Sequence, residues 1–599
     1  MKKIFFISLI AGIVSCTSGY DNSWIRINQL GYMPGTPKIA VMVSKENVSV
    51  SEFAIYSAVD DQEVFRSEEI AEFDEWGAFK KGFRLDFTQF TDKGEFYVKV
   101  KNVKSPVFRI DNDVYANTAD FILNYMRQQR CGYNTFYNST CHQNDGFIIF
   151  HPDAEKDSTY IDVRGGWHDA SDYLQYVTTS ANAVYQMLFA YRENPSIFGD
   201  EYDAMGNPES NGIPDILDEA KWGLDWLDRM NPSYGEMYNQ LADDRDHIGY
   251  KLPANDTADY GRGKGGARPA YFCTGEPQGS EKYKNRATGI ASTAGKYASA
   301  FALGGILLEE YYPEFSENIK AKAIDAYKWG KLNPGVCQTA PHVAAYFYEE
   351  DNWVDDMELA AAQVYELTQK QSYLTDAVEY GIQEPVTPWM GADTARHYQW
   401  YPFFNLGHSL LAYKYENADQ NTFSNYFEEG IKNVFEKGKD NPFFIGVPFI
   451  WCSNNLVTAI ATQCHIYRTS TGDNTYYEME QSLIDWLFGC NPWGTSMIVG
   501  LPEDGDFPSD VHSAAVTLLD RQPIGGLVDG PIYGSIFGKH IGVHLSKEID
   551  VYEQFQSKLV VYHDDNADYS SNEPTMDGTA SLSYILSSLE KEGREAGKD

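Results

Sequence analysis

The chain has 599 residues, of which 43% are hydrophobic and 15% aromatic, and carries a formal net charge of −38 at pH 7. That length exceeds an ordinary single domain, so two or more are expected. The acidic balance excludes a nucleic-acid partner, whose phosphates demand a basic footprint, and suits an enzyme acting on a neutral substrate.

The first stretch, "MKKIFFISLIAGIVSC", sets Lys2 and Lys3 ahead of an apolar run from Ile4 to Val14. The run is too short to cross a bilayer as a folded helix and reads as an export signal. It ends in Ile13-Val14-Ser15-Cys16, similar to a bacterial lipobox with Cys16 acylated. The expectation is a signal and tether over residues 1–21. The protein would then be lipid-anchored to the outer membrane or cell surface, with the periplasmic face as the alternative. The seven remaining cysteines are odd in number and scattered, which does not suit a disulfide framework.

Residues 22–112 hold short β-branched and aromatic runs, "WIRINQLGY", "PKIAVMV", "EFAIYS", "GFRLDF" and "GEFYVKVKN", parted by Gly, Pro, Asn and Asp. Such spacing predicts a β-sandwich. From 113 to 599 the texture turns helical. "NGIPDILDEAKWGLDWLDRM" (211–230) spaces its apolar residues helically after an acidic start, and "ATGIASTAGKYASAFALGGILLEEYY" (287–312) reads likewise. Ten or more helices joined by long loops rich in Gly, Asp, Trp and Tyr are expected, and loops on a rigid scaffold carry function.

Two stretches point to chemistry. "GGWHDASDYLQY" (165–176) places Asp169 and Asp172 three positions apart, where each raises the cost of ionising the other. Near the end, "DYSSNEPTMDGTASLSYIL" (568–586) puts Glu573 in a polar loop before a helical run. Alone, the first is an acidic turn and the second a helix cap. Together they supply what glycoside hydrolysis requires, one carboxylic acid and one carboxylate on opposite sides of the scissile bond. Upstream, "CGYNTFYNSTCH" gives Cys131, Cys141 and His142, followed by His151 and His168. Two thiolates and two imidazoles suit tetrahedral zinc; a thiol pair or disulfide with incidental histidines is the alternative. The densest aromatic cluster, "HYQWYPFF" (397–404), offers Trp400 either to a sugar subsite or to helix packing.

In this order the motifs resemble glycoside hydrolase family 9. "GGWHDASDYLQY" is similar to that family's GGW-(Y/H)-DAGD signature. "FGCNPWGTSMIVG", "GGLVDGP" and "DYSSNEPTMD" resemble its later segments, and "WIRINQLGY...PKIAVMV" resembles the immunoglobulin-like domain that precedes many of its catalytic modules. The resemblance implies an immunoglobulin-like β-sandwich followed by an all-α (α/α)6 barrel that cleaves β-1,4-glucosidic bonds with inversion. It makes Asp172 the general base, Asp169 its partner on the nucleophilic water and Glu573 the general acid, with Tyr569 and Asn572 as further candidates beside the acid.

The expected substrate is a polysaccharide such as xyloglucan or mixed-linkage glucan, cut internally by a monomer with no organic cofactor. An exo-acting β-glucosidase or glucosaminidase is one alternative, and a surface glycan-binding lipoprotein without catalysis is another. The resemblance implies a zinc site at Cys131, Cys141, His142 and His168, with His151 as the competing ligand. "YFYEEDNWVDDMELAAAQVY" (346–365) is similar to a calcium-binding segment of many relatives, through Glu350, Asp351, Asp355 and Asp356; helix capping is the other reading of those acids. Two departures stand out. Ser171 occupies a position where the family has Gly. In "FPSDVHSAAV" (507–516) only His512 matches a His-His-Arg element that contacts sugar in the family, with Ser513 or Ala514 where its arginine would fall.

Overall fold

The computed structural model describes residues 20–279, 282–345, 347–540 and 544–598; the stretch expected to be an export signal, and Cys16, lie outside them. Its N-terminal unit is a sandwich of two antiparallel sheets. One orders β1 (Ser23–Arg26), β2 (Ile39–Ser44), β6 (Lys81–Asp86) and β5 (Ile70–Phe73). The other orders β4 (Glu63–Ser67), β3 (Phe53–Ser57), β7 (Gly94–Val100) and β8 (Val103–Lys104), with β9 (Phe108–Ile110) also on β7.

The period of two along a strand explains how this unit is attached. In β2 all six residues are buried, because its two faces serve different cores. Ala40 and Met42 pack with Phe83, Phe96 and Phe108 inside the sandwich, while Ile39, Val41 and Val43 join the core of the helical unit. Burying three such side chains is worth about 5–9 kcal/mol before ordering entropy is charged against it. Polar contacts fix the register of this interface. Buried Arg84 donates to Glu478 Oε1 (2.8 Å), Ser482 Oγ (2.9 Å) and the carbonyl of Pro442 (3.0 Å), and Asn28 Nδ2 donates to Asp485 (2.8 Å).

The helical unit is a ring of hairpins. α1 (Thr118–Phe121) and α2 (Leu123–Gln129) lead in. They are followed by α3 (Val177–Glu193) with α4 (Asp215–Met230), α5 (Ala291–Leu307) with α6 (Pro313–Leu332), and α7 (Val354–Thr368) with α8 (Gln371–Gly381). Next come α9 (Leu406–Tyr413) with α10 (Gln420–Gly438) and α11 (Ser453–Thr471) with α12 (Tyr477–Leu487). After the short α13 (Ala514–Leu519) and α14 (Gly534–Phe537), α15 (Met576–Ser581) and α16 (Ser583–Ala596) close the ring, α15 packing on both α3 and α11. The inner helices show why: α3, α5 and α11 are buried on every face over most of their length, whereas α4 and α10 bury one stripe. This is the expected sandwich followed by an (α/α)6 barrel. Among the described residues no helix is long and apolar enough to cross a membrane.

The long loops at one end of the ring build structure of their own. β12 (Phe147–Ile149), β15 (Pro269–Phe272), β14 (Tyr238–Leu241) and β13 (Gln175–Tyr176) form a four-stranded sheet. β10 (Tyr133–Asn134) pairs with β11 (Ser139–Thr140), and β16 (Leu527–Val528) with β17 (Pro574–Thr575). These short pairings hold the chemistry-bearing loops.

Candidate active site

Asp169 and Asp172 lie in the loop between Gly166 and β13. Helix α4 pins that loop: Trp222 Nε1 donates to the carbonyl of Gly166 (2.8 Å), Trp226 Nε1 to that of Val163 (3.1 Å), and Glu219 accepts from Trp167 Nε1 (2.7 Å). Gly166 sits at φ +73°, and a Cβ there would lie 2.6 Å from Trp226 Cγ, so only glycine allows this approach.

The acid comes from the opposite end of the chain. β17 follows Glu573 directly, and the amide of Asp529, next after β16, donates to the Glu573 carbonyl (2.9 Å). Three further bonds join the acid's segment to the aspartate loop. The amide of Ser171 donates to Glu573 Oε1 (2.9 Å) and the Ser171 hydroxyl donates to the same oxygen. The amide of Met576 donates to the carbonyl of Asp169 (2.9 Å). Residues 402 apart in sequence thus meet in one site.

Asp172 and Glu573 line a common cavity of about 530 Å³, together with Ser171, His247, Tyr250, Trp451, His512 and Tyr569. Asp169 lies behind it, 3% exposed. Its carboxylate accepts from Thr179 Oγ1 (2.6 Å) and from the Tyr348 hydroxyl. Burial, then Asp577 and Asp172, push its pKa well above the carboxylate range against those two donors. Burial also raises Glu573; His512 opposes the shift and Asp172 adds to it. Asp172 accepts from the amide of Leu174 (3.0 Å), and its other oxygen lies 3.5 Å from His247 Nε2. Burial pulls the His247 pKa down, but the Asp172 and Asp246 carboxylates outweigh it and carry it to about 9. At neutral pH a cation therefore stands beside Asp172, although the imidazole is 39% exposed and its field is partly screened.

The remaining sequence candidates divide. His512 lines the cavity, its Nδ1 2.7 Å from the Tyr250 hydroxyl and 2.5 Å from the carbonyl of Asn566. Where an arginine was sought, Ser513 caps α13 by accepting from the amide of Ala515 (3.2 Å), and Ala514 is buried. Tyr569 lines the cavity beside Trp451, ring centroids 5.6 Å apart. Asn572 is buried, accepting from Tyr562 (2.8 Å) and donating to the carbonyl of Asp510 (3.0 Å), and so braces the acid's loop. Trp400 is a correction: it packs half-buried against the helical core and does not line the cavity. Trp451 does, at the start of α11 where no motif marked it. His247 and Tyr250 were missed in the same way.

Cys131, Cys141, His142 and His168 converge with their ligand atoms all within 4.8 Å of one another, the one such group of His, Cys, Asp and Glu among the described residues. The sulfurs are 4.0 Å apart, Cys131 Sγ is 3.7 Å from His142 Nδ1, and Cys141 Sγ is 3.8 Å from His168 Nε2. A tetrahedron with metal–sulfur bonds of about 2.3 Å and metal–nitrogen bonds of about 2.0 Å has edges of roughly 3.3–3.8 Å, so the donor set fits a metal. Outer partners are in place as well: Asp256 lies 3.1 Å from His142 Nε2, and the amide of Gly132 donates to Cys141 Sγ (3.3 Å). His151 stands apart, 3.0 Å from Glu236.

The calcium expectation is corrected. Glu350 and Asp356 both accept from the ammonium of buried Lys296, at 2.6 Å for Asp356. Asp351 pairs instead with Arg396. Asp355 is half-buried beside a cavity of about 30 Å³ that also touches Lys296 and Asp356, room for about one water. A lysine supplies the charge that the metal was expected to bring.

Residues 115–586 match the glycosyl hydrolase family 9 profile, and residues 21–105 match the cellulase N-terminal ig-like domain. A xyloglucan-specific endo-beta-1,4-glucanase, BoGH9A of Bacteroides ovatus, is 26% identical over 98% of this chain and 99% of its own. A metagenome-derived glycoside hydrolase family 9 endoglucanase superposes with TM-score 0.74 at 24% identity, over 95% of this chain and 99% of that one. A Zn-binding triple mutant of family 9 endoglucanase J30 superposes with TM-score 0.73 at 23% identity, over 93% and 99%. At these identities the two structures show the fold. The chain belongs to glycosyl hydrolase family 9 and is a glycoside hydrolase.

Proposed function

We propose that this family 9 glycosyl hydrolase is an endo-acting enzyme that cleaves β-1,4-glucosidic bonds in a soluble β-glucan, xyloglucan or mixed-linkage glucan, with inversion. The observation that carries the reading is Asp172 and Glu573 facing one open cavity in unlike surroundings. Glu573 is raised by burial and holds its proton to higher pH. Asp172 has His247 Nε2 3.5 Å from one oxygen and the amide of Leu174 on the other. That is the division of labour inversion needs: Glu573 gives a proton to the leaving oxygen while Asp172 takes one from a water attacking the opposite face. Asp169, its oxygens held by Thr179 and Tyr348, orients the loop and the water from behind. Trp451 and Tyr569 offer flat faces on which glucose rings stack. The full-length alignment with a xyloglucan-specific endoglucanase supports the substrate class.

Cys131, Cys141, His142 and His168 would hold a structural zinc, which supplies a cross-link between the 131–142 loop and the segment carrying Asp169. Export with a lipid anchor on Cys16 at the outer membrane or cell surface, as a monomer, completes the reading. Proton NMR of the first products from xyloglucan and mixed-linkage glucan tests it. New α-anomeric reducing ends on oligosaccharides are expected; β-anomeric ends would remove the inverting assignment, and release of single sugars alone would remove the endo one.

A further inference from the structure

We propose that Asp529 is a positioning residue whose buried carboxyl holds the Trp451 indole at the sugar-binding cavity beside Glu573. The inference rests on the hydrolase reading above and assigns one more residue to it. Asp529 is 0% exposed. Its Oδ2 accepts from Trp451 Nε1 (3.1 Å) and its Oδ1 from the thiol of Cys452 (3.1 Å), so two consecutive residues grip the two oxygens of one carboxyl. Its backbone is fixed on both sides: the amide donates to the Glu573 carbonyl (2.9 Å) and the carbonyl accepts from the amide of Asn454 (3.0 Å). Asp529 is therefore the residue that refers the indole plane to the backbone of the acid.

A buried carboxyl is costly, and nothing in the packing of a β-strand end demands one. Burial, then the neighbouring Glu573, push its pKa well up. What it gains is order. Trp451 also meets Tyr569, His540 and His397 edgewise or tilted, with ring centroids 5.3–5.6 Å apart. A hydrogen bond to Nε1 sets the ring in the pose that a sugar face requires before sugar arrives, and pre-ordering of this kind is returned as affinity.

The test uses cellopentaose and the variants D529A, D529N, W451F, W451A and D529A/W451A. In the full-length enzyme D529A should raise KM about five- to tenfold, the worth of one net hydrogen bond, while kcat stays within about threefold. D529N keeps an acceptor for Nε1 and should recover all but about twofold of that loss. In the W451A background D529A should add less than about twofold, because the residue it positions is gone. W451F, which keeps an aromatic face but lacks the N–H, should match D529A if D529A proves too unstable to assay. Isothermal titration of cellopentaose into E573Q carriers of the same changes reads binding without turnover. A wild type that fails to hydrolyse therefore sinks the functional reading separately. Deuterium exchange of the Trp451 indole N–H, assigned by its absence in W451F, needs no sugar: it should be protected in wild type and D529N and open in D529A. D529N behaving like D529A, multiplicative effects in the double variant, or an equally protected indole in D529A would each overturn the proposal.

Discussion

Ser171→Ala isolates one bond to the proposed acid. Ser171 gives Glu573 Oε1 both its amide, at 2.9 Å, and its hydroxyl; alanine removes only the second. A hydrogen bond to a charged group contributes about 1.5–3 kcal/mol, but the protonated carboxyl keeps part of it, so about 1 kcal/mol separates the two forms. At 1.36 kcal/mol per unit this is a pKa change of about 0.5–1 unit. The hydroxyl favours the carboxylate, so its loss raises the Glu573 pKa. A general acid works only while protonated, and the alkaline limb of kcat against pH should move up by that amount. The other titratable groups facing the acid, Asp172, His512, His247 and Asp529, keep their surroundings, so the acid limb should hold to within about 0.2 unit. The assay is initial rate on a soluble β-glucan from pH 4 to 10. An alkaline limb that moves down, or an acid limb that moves instead, would refute the placement of the proton on Glu573.

Glu573→Gln and Asp172→Asn should each lower kcat by about 10³–10⁵-fold with the circular dichroism spectrum unchanged. Glu573→Gln should also raise the apparent Tm. The folded pKa of Glu573 lies above its unfolded value, so the wild type loses stability as pH rises from about 4.3 through the folded pKa, and the uncharged variant does not. Its advantage in differential scanning calorimetry should therefore grow with pH and vanish below about pH 4. Cys141→Ser should lose the metal seen by mass spectrometry of native protein and lower the apparent Tm; an unchanged Tm with no metal in either protein removes the site. Lys296→Met leaves Glu350 and Asp356 buried without their cation and should cost about 3–5 kcal/mol in denaturant titrations, whereas calcium added to the wild type should leave its Tm where it was.

The three catalytic candidates were legible because their residue types are dictated by the reaction and sit in two compact motifs. The sandwich was legible because its strands alternate or run apolar for five residues or more. Much of the cavity was not. His247 and Tyr250 come from one loop after β14 and Trp451 from the turn before α11, and their meeting is a property of the ring rather than of any stretch. β13 and β16 are two residues long, too short to carry a period. The acidic run at 350–356 misled because a carboxylate cluster reads alike whether a metal or an ammonium completes it. The discriminating signal was present 54 residues upstream of Glu350: Lys296 is the only charged residue of α5, a helix buried over most of its length. A buried lysine there had to find carboxylates.

The aspartate loop is tied down at more points than two carboxylates require. Trp222 and Trp226 hold it to α4. The amide of Cys131 donates to the carbonyl of Gly166 (2.8 Å), and that of His168 to the carbonyl of Gln129 (2.8 Å), so two of the proposed metal ligands are also the loop's backbone anchors. Ser171 and Met576 then tie it to the acid. None of these bonds touches the cavity's aromatic faces, Trp451 before α11, Tyr569 before Glu573 and Tyr250. Substrate affinity and carboxylate geometry are thus carried by different parts of the molecule. Disturbing the metal ligands should act on kcat, because a displacement of about 1 Å at the reacting groups costs up to about 10²-fold in rate. Disturbing Trp451 or Asp529 should act on KM. A metal-ligand variant that raised KM and spared kcat would mean that the loop, and not the indole, sets the fit of the sugar.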